Sequence, residues 1–392
     1  MEKEVDESKS ISVTNKDDIS GGKNDFYDGL NADKASLFLR KGEQFSFRLN
    51  NFDLLRLFAA FQVLMGHSLD YFGFSRIPLS VYLPGVPIFF VISGFLISAS
   101  WERSPSLSQY IKNRVLRIYP ALWFCLFLSL FVASLTYTFE VFNVEFFTWL
   151  VAQLTIGQFY NPEFFKGYGA GGLNGSLWTI PIELQFYLLI PIIYVIMRKC
   201  NWSNIILFSF VILFSVINYL RYYFQPVLGD ILIFKLFSVT IIPYLNMFLF
   251  GVVLQKNMWF VERFLANKVL HWLMVYLVIV FATGYFGITN QGNAINPISA
   301  FFLSLLVISA AYSYVNKFGN VLKGNDISYG IYIYHMIAIN FLLSINMFTP
   351  ATNVVITILS VTVVAILSWK YLEQPMLSLK SDKMKWFKSS RV

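Results

Sequence analysis

An arginine and a histidine lie eleven residues apart in one mostly apolar stretch, residues 52–71. They are Arg56 and His67. Eleven steps of about 100° in an α-helix make three turns plus roughly 20°, so both side chains are expected on one helix face, about 16 Å apart. Histidine takes up and returns protons near neutral pH, whereas arginine keeps its charge and binds phosphate or carboxylate bidentately. The pair suits group transfer across a membrane. The alternative is a structural histidine and an arginine at a helix end.

A second cationic pair, Arg114 and Arg117, is three residues apart and therefore lies on one side of a helical turn. Two guanidinium groups in that arrangement bind a phosphate or pyrophosphate well. The alternative is that their charge only sets the orientation of the chain in a membrane or contacts lipid headgroups.

A polar, glycine-rich stretch runs from Gly171 into an apolar helix. Ser176 is suited to be the N-cap of that helix, and Pro181 falls in its first turns, where a missing backbone donor does little harm. Glu183 follows Ser176 by two turns, on the same side. Because a buried carboxylate must be neutral or paired, we expect Glu183 to orient His67 or to pair with an arginine for structural reasons.

Two late motifs add further titratable groups. His335 lies in an aromatic-rich apolar stretch, where aromatic residues usually serve packing or interface belts. Glu373 follows the last apolar stretch, and a salt bridge to a loop arginine is the simplest expectation for it. The cysteines, Cys125 and Cys200, indicate neither a disulfide framework nor a zinc site, and no metal is expected.

These residues must be positioned by membrane helices. Of the 392 residues, 56% are hydrophobic, 18% aromatic and only 13% charged, which excludes an ordinary soluble protein. A span needs about 20 mostly apolar residues. Eleven stretches qualify: 52–71, 82–101, 118–138, 143–160, 178–197, 204–220, 236–255, 269–286, 296–315, 328–346 and 353–371.

The distribution of lysine and arginine decides between ten spans and eleven. If 143–160 does not cross and the N-terminus is cytoplasmic, sixteen basic residues fall in the cytoplasmic loops and the C-terminal tail and four in the outer loops, as the positive-inside rule requires. We therefore predict an all-α bundle of about ten transmembrane helices with both termini cytoplasmic. Residues 139–177 are predicted to form an outer segment with an interfacial or re-entrant helix.

The ends of the chain differ from its centre in composition. Residues 1–50 hold eight basic and ten acidic residues without apolar periodicity, so we predict a disordered cytoplasmic tail. Residues 51–375 form the predicted membrane domain, and 376–392 a basic cytoplasmic tail. The lipid bilayer is the expected environment, and nucleic acid is not an expected partner.

Six motifs in sequence order resemble those of the membrane acyltransferase-3 family, bacterial enzymes that O-acylate cell-surface glycans. The resemblance covers about 51–375. The motifs occur at Asp53–His67, Phe89–Ile97, Arg114–Pro120, Ser176–Glu183, Ser328–His335 and Tyr371–Pro375. No esterase-like domain follows the last motif in this sequence, so a stand-alone member is expected.

The resemblance implies an enzyme of the bacterial cytoplasmic membrane that transfers an acyl group, usually acetyl, from acyl-CoA to a glycan hydroxyl. His67 would be the general base or relay the acyl group, with Glu183 and Arg56 as its catalytic partners. The implied set for binding acetyl-CoA is Arg114, Arg117, Tyr119 and Ser93. The implied set for binding substrate or supporting the site is Asp53, Ser176, Trp178, His335 and Glu373.

Alternatives remain open from the sequence. A transporter or flippase of glycan or lipid precursors also explains ten spans with buried ionisable residues, although the inverted repeats of such proteins are not visible. Membrane-bound O-acyltransferases form another enzyme class with a late histidine, but the surroundings of His335 fit the first family better. The acceptor is open among lipopolysaccharide O-antigen, exopolysaccharide, peptidoglycan and small glycosides.

Overall fold

The computed structural model describes residues 50–75, 82–103, 105–141, 143–200, 204–288, 293 and 295–379. The predicted disordered tail and most of the predicted basic C-terminal tail lie outside these ranges, and both stay predictions.

The described residues form fifteen α-helices, joined by turns and by short 3₁₀ and π segments. In chain order α1 to α15 are Phe52–Tyr71, Gly85–Arg103, Leu107–Ser134, Val144–Leu154, Thr179–Cys200, Asn204–Leu228, Leu232–Ser238, Leu245–Lys256, Met258–Phe260, Val269–Tyr285, Pro297–Ala311, Val315–Phe318, Ser328–Ile345, Pro350–Ser368 and Gln374–Ser378.

Among the described residues, six helices are long and apolar enough to cross a membrane, and up to eight cross if each of two bent pairs counts as one span. The bent pairs are α7 with α8 and α9 with α10, at 46° and 89°. Three further apolar helices fall outside that set. They are α1, which carries Asp53, Arg56 and Asp70, α11, which has 15 residues, and α4, which has 11. The protein is therefore all-helical and multi-pass.

Helix α4 is the predicted interfacial or re-entrant helix, and it is short. Its 11 residues extend about 16 Å, roughly half the thickness of a hydrocarbon core. The Asn143 side chain caps it by accepting a hydrogen bond from Phe146 N at 2.7 Å. Its C-terminal end is held against α3, where Trp123 Nε1 donates to Leu154 O at 3.1 Å. This helix does not reach across a bilayer.

Helices α2 and α8 cross at two glycines. A Cβ on Gly94 would come closer than 3 Å to the backbone of Phe248, and one on Gly251 would come equally close to the backbone of Val91. The backbones can approach only because these side chains are absent, which confirms the packing role expected for small residues in membrane helices. Beside the crossing, Phe248 stacks on Phe186 of α5 with ring centroids 4.1 Å apart.

Helices α1 and α13 pack together and run in the same direction. Arg56, near the start of α1, pairs with Asp326, just before α13. His67, near the end of α1, contacts His335 further along α13. Two side-by-side membrane helices point the same way only if an odd number of crossings separates them. Arg56 and His67 also face the same neighbour, as their spacing predicts.

Candidate active site

The two histidines form a hydrogen-bonded pair. His67 Nδ1 lies 2.8 Å from His335 Nε2, and His335 Nδ1 lies 3.3 Å from the carbonyl oxygen of Ile331. A carbonyl oxygen only accepts, so the proton of neutral His335 is on Nδ1, and its Nε2 accepts from His67 Nδ1–H. The lone pair of His67 is then on Nε2. That tautomer is the one required of a general base whose orientation is set by a second group.

Asp326 joins the two arginine motifs. Its carboxylate pairs with both Arg56 and Arg117, and it also accepts a hydrogen bond from the Ser328 hydroxyl. Burial by itself would raise the pKa of Asp326, but the charges of Arg117 and Arg56 and the Ser328 hydrogen bond outweigh it and hold the pKa well below its usual range. Arg56 also pairs with Asp53 within α1, at 3.1 Å.

An open cavity of about 840 Å³ lies beside this cluster, and we call it the arginine cavity. Among the described residues, Arg56, Arg114, Arg117 and Glu183 are the charged groups that line it. Three arginines and one glutamate thus share its wall. Because Asp326 pairs with Arg56 and Arg117, Arg114 is the cation of the wall that remains to attract an anionic ligand. Ser93 also lines it, and its role in donor binding stays a prediction.

Arg114 is held on the wall by contacts that leave hydrogen-bonding capacity. Its Nη2 donates to Ser100 Oγ at 2.8 Å, and its guanidinium lies over the rings of Tyr110 and Tyr187 at 5.4 and 5.3 Å. Its Nε is buried and has no hydrogen-bond partner among the described residues. A buried donor without a partner is costly, and a ligand oxygen would satisfy it.

Glu183 lies against Tyr187 and not beside the histidine pair. Its carboxylate accepts a hydrogen bond from the Tyr187 hydroxyl one turn further along α5. The position next to His67 that was expected for Glu183 is occupied by His335. Glu183 instead places a negative charge on the wall that carries Arg114.

Two predicted residues have other surroundings. Tyr119 is not among the described residues that line the arginine cavity; its hydroxyl donates to Thr155 O at 3.0 Å, at the end of α4. Glu373 is buried and accepts from Ser368 Oγ at 3.2 Å. Glu373 was expected to pair with a loop arginine. Arg117 instead forms its ion pair with Asp326.

The glycine-rich stretch begins its helical structure with a different cap from the one predicted. Asn174 accepts hydrogen bonds from the Ser176 backbone and hydroxyl, at 3.2 and 2.7 Å, and caps the 3₁₀ turn Gly175–Trp178. Ser176 is therefore the residue that is capped, since the 3₁₀ turn moves the helical start two residues earlier. Trp178 packs against Tyr244, with ring centroids 5.4 Å apart.

Sequence analysis missed Asp326 and did not recognise the role of His335. The available signal for Asp326 was an acidic residue two positions before Ser328 at a helix start, which is typical of a capping position. The signal for His335 was its place in the same helix as that motif, but nothing in the sequence indicated which residue it contacts.

Known proteins resemble this chain along most of its length. Residues 49–370 match the acyltransferase domain of the acyltransferase-3 family. The chain belongs to this family. Nodulation protein 10 of Rhizobium leguminosarum bv. viciae is 31% identical over 357 residues, 85% of this chain and 94% of that relative. The O-acetyl transferase of Shigella phage Sf6 is 27% identical over 362 residues, 86% of this chain and 98% of that protein.

A more distant relative is the peptidoglycan O-acetyltransferase OatA of Listeria monocytogenes, 29% identical over 132 residues, 29% of this chain and 20% of that protein. No solved structure matches the chain. Family membership together with the helical architecture makes this acyltransferase-3 member a multi-pass membrane acyltransferase.

Proposed function

We propose that the protein transfers an acyl group, acetyl in the first instance, from acyl-CoA to a hydroxyl of a cell-surface glycan. Two of the relatives are O-acetyltransferases by name, and one of these acts on peptidoglycan. Lipopolysaccharide O-antigen and exopolysaccharide are further acceptors of the same chemical class.

The observation that carries the proposal is that the histidine pair lies on two helices that line the arginine cavity, beyond their lining residues. On α13, Ser328, Tyr329 and Tyr332 line the cavity, and His335 follows within one turn. On α1, Arg56 lines it and His67 lies three turns further along. A donor whose phosphates bind the arginines extends its thioester arm toward the histidines.

The chemistry that this geometry supports is general-base catalysis. His67 Nε2 takes the proton of the acceptor hydroxyl as its oxygen forms a bond to the thioester carbonyl carbon. The carbon–sulfur bond then breaks, and the proton passes to the leaving thiolate, so the products are an O-acyl ester and a free thiol. His335 holds His67 in the required tautomer. Arg56 anchors the donor at the far end of the cavity.

The proposed topology has ten spans, with both termini on the cytoplasmic side of the bacterial inner membrane. The six single helices, the two bent pairs, α1 and α11 make up that number. Seven crossings then separate α1 from α13, and this odd number agrees with their parallel packing. The arginine cavity opens near the cytoplasmic ends of both helices, where acyl-CoA is available.

Donor binding is tested most directly at Arg114, since Arg117 also neutralises Asp326. We expect Arg114→Ala to weaken acetyl-CoA binding by tenfold or more, because a hydrogen bond to a charged group contributes about 1.5–3 kcal/mol. Arg114→Lys should also bind more weakly, since lysine lacks the bidentate fork. Arg103→Ala is the matched control, an exposed arginine that does not line the cavity. Equal affinity of Arg114→Ala and Arg103→Ala would contradict the assignment.

Catalysis is tested by His67→Ala in the same preparation. Transfer should fall by about 10²–10⁴-fold, the contribution of a positioned general base, while acetyl-CoA binding persists. Residual transfer within tenfold of wild type would demote His67 to a structural residue. Passage of a glycan precursor across vesicles without any acyl transfer would favour the transporter alternative.

A further inference from the structure

A second cavity, of about 650 Å³, lies on the opposite side of the histidine pair. On α1, Arg56 lines the arginine cavity and Tyr71 the second one, with His67 between them. On α13, Tyr332 lines the arginine cavity and Met336 lines the second one, with His335 between them.

In two more elements, residues at one end line the arginine cavity and residues at the other end line the second cavity. On α3, Arg117 lines the arginine cavity, and Ser129, further along, lines the second cavity. Trp178 lines the second cavity, and its neighbour Thr179 lines the first. The two cavities therefore lie end to end along the helices, with the layer that holds the histidines between them.

The layer between the cavities is hydrogen-bonded. The Thr179 and Tyr332 hydroxyls are 2.8 Å apart, and the Tyr332 hydroxyl donates to Ser176 O at 3.0 Å. A transferred acyl group need only pass this layer to move from one cavity to the other.

The wall of the second cavity combines aromatic faces with amide groups, and we call it the aromatic–amide cavity. The aromatic residues that line it are Tyr71, Trp149, Phe159, Tyr160 and Trp178, and the amides are Gln153, Gln158, Asn161 and Asn174. None of the described residues that line it carries a charge. This contrasts with the three arginines of the first cavity.

The amide side chains fix the irregular segment that forms one side of this cavity. Gln158 Nε2 donates to Gln153 O and Thr155 O, at 2.7 and 2.9 Å. Asn340 of α13 donates to Gly172 O at 2.9 Å and accepts from Ala170 N at 2.9 Å. The wall is thus built in advance of any ligand.

The wall also retains unused hydrogen-bonding capacity. Gln158 is 4% exposed, and its Oε1 has no hydrogen-bond partner among the described residues. A buried acceptor left without a partner is unfavourable. A ligand that carries hydroxyl groups can donate a hydrogen bond to this oxygen.

We propose that the aromatic–amide cavity binds the acceptor, and that the acceptor segment bound there is an uncharged saccharide. This inference rests on the proposed function. Amides donate to and accept from hydroxyl groups, and aromatic faces provide flat apolar surface for the C–H faces of a sugar ring. An anionic saccharide would find no cation on the described wall, and a lipid chain would leave the buried Gln158 Oε1 without a hydrogen-bond donor.

The test uses Gly175, which lines the cavity and whose added Cβ would meet no atom within 4 Å. Gly175→Phe adds a ring at the cavity wall, at a position where the new Cβ meets no neighbouring atom. Gly284→Phe is the matched control, because Gly284 also has open space around it and lines neither cavity. The probe is the total envelope saccharide of the host, separated into neutral and anionic fractions by anion exchange.

Two readouts are made on the full chain in lipid nanodiscs. Wild type and Gly284→Phe should retain the neutral fraction in preference to the anionic one, and Gly175→Phe should retain at least tenfold less of it. Acetyl-CoA binding should stay within twofold in all three proteins, which also verifies that they are folded.

Equal retention by Gly175→Phe and Gly284→Phe would overturn the proposal, as would preference of the wild type for the anionic fraction. The proposal would also be overturned if Gly175→Phe alone lost both acetyl-CoA binding and saccharide retention. The two cavities would then not be separate sites. If wild type retains the neutral fraction but does not bind acetyl-CoA, the saccharide site stands and the proposed donor is wrong.

Discussion

At the scale of single residues, the partner of His67 determines what His67 can do. His335 already donates to Ile331 O through Nδ1, so its Nε2 accepts the proton of His67 Nδ1–H. The histidine pair thus orients His67 without a carboxylate in the contact. Glu183 is used elsewhere, in the wall beside Arg114.

This role makes His335 a positioning residue whose replacement has a graded effect. In His335→Gln the side-chain amide oxygen still accepts from His67 Nδ1–H, so we expect a loss of kcat of about tenfold. In His335→Leu no acceptor remains, and kcat should fall toward that of His67→Ala, by about 10²–10⁴-fold. KM for acetyl-CoA should be unchanged in both.

The measurement is the kcat and KM of acyl transfer for both variants. Equal kcat in His335→Gln and His335→Leu would show that His335 contributes packing and not a hydrogen bond.

A second prediction for a single residue concerns how Asp326 affects stability at different pH. Its folded-state pKa is depressed, so it contributes stability above its unfolded pKa of about 3.9, and that stability is lost as pH falls through the folded value. Asp326→Asn should therefore lower the melting temperature by the same amount from pH 6 to pH 8. The destabilisation should be near the lower end of the roughly 3–5 kcal/mol seen for buried pairs, because Arg56 and Arg117 remain 23% and 21% exposed.

Thermal melts of detergent-solubilised protein across pH provide the measurement. Asp230→Asn is the control, because Asp230 is fully exposed and its contact with Lys235 at 3.5 Å is a surface pair, of the kind that contributes about 0–1 kcal/mol. A destabilisation by Asp326→Asn that disappears between pH 8 and pH 6 would contradict a depressed pKa.

At the scale of helices, the crossing of α2 and α8 positions much of the arginine cavity. Ser93 directly precedes Gly94, and Phe90 lies one helical turn before it. Both line that cavity, and Gly94 contacts the backbone of α8. A shift of α2 caused by a larger residue at the crossing would therefore also move the cavity wall.

Gly94→Ala should destabilise the protein by about 1–3 kcal/mol, the usual cost of overpacking a close contact, and should weaken acetyl-CoA binding. Gly284→Ala is the matched control in another helix, since its Cβ meets nothing within 4 Å. Melting temperature and acetyl-CoA affinity are measured for both. A Gly94→Ala protein as stable as Gly284→Ala would show that the crossing tolerates a methyl group.

At the scale of the whole molecule, the parallel packing of α1 and α13 and the shortness of α4 support the proposed topology. Were α4 a full span while every other proposed span remained, eight crossings would separate α1 from α13. The two helices would then be antiparallel, and Arg56 and His67 could not both reach the partners they contact.

Single cysteines test this arrangement in a chain with Cys125→Ser and Cys200→Ser. Glu163→Cys, in the exposed segment after α4, should react with an impermeant thiol reagent added to intact cells. Val321→Cys, in the exposed segment before α13, should react only after the membrane is permeabilised. The reverse pattern would invert the proposed orientation, and reaction of both in intact cells would exclude ten spans.

The sequence by itself determined the membrane character, the all-helical class, the family and the shared face of Arg56 and His67. Each of these depends on composition or on spacing within one helix, and helical geometry converts such spacing into direction without reference to the rest of the chain. For the same reason the cationic motif of Arg114 and Arg117 was visible in advance. The exclusion of 143–160 as a span came instead from the distribution of basic residues over all the loops.

Only the tertiary structure decided which groups meet. His335 is 268 residues from His67, and Asp326 is 270 residues from Arg56, so neither contact follows from local periodicity. The same holds for Glu183. One expectation placed it beside His67, but the residue that contacts His67 there is His335. The division into a cationic and an uncharged cavity also arises between helices, because a cavity wall is made of side chains from several elements whose contacts are set by packing and not by sequence order.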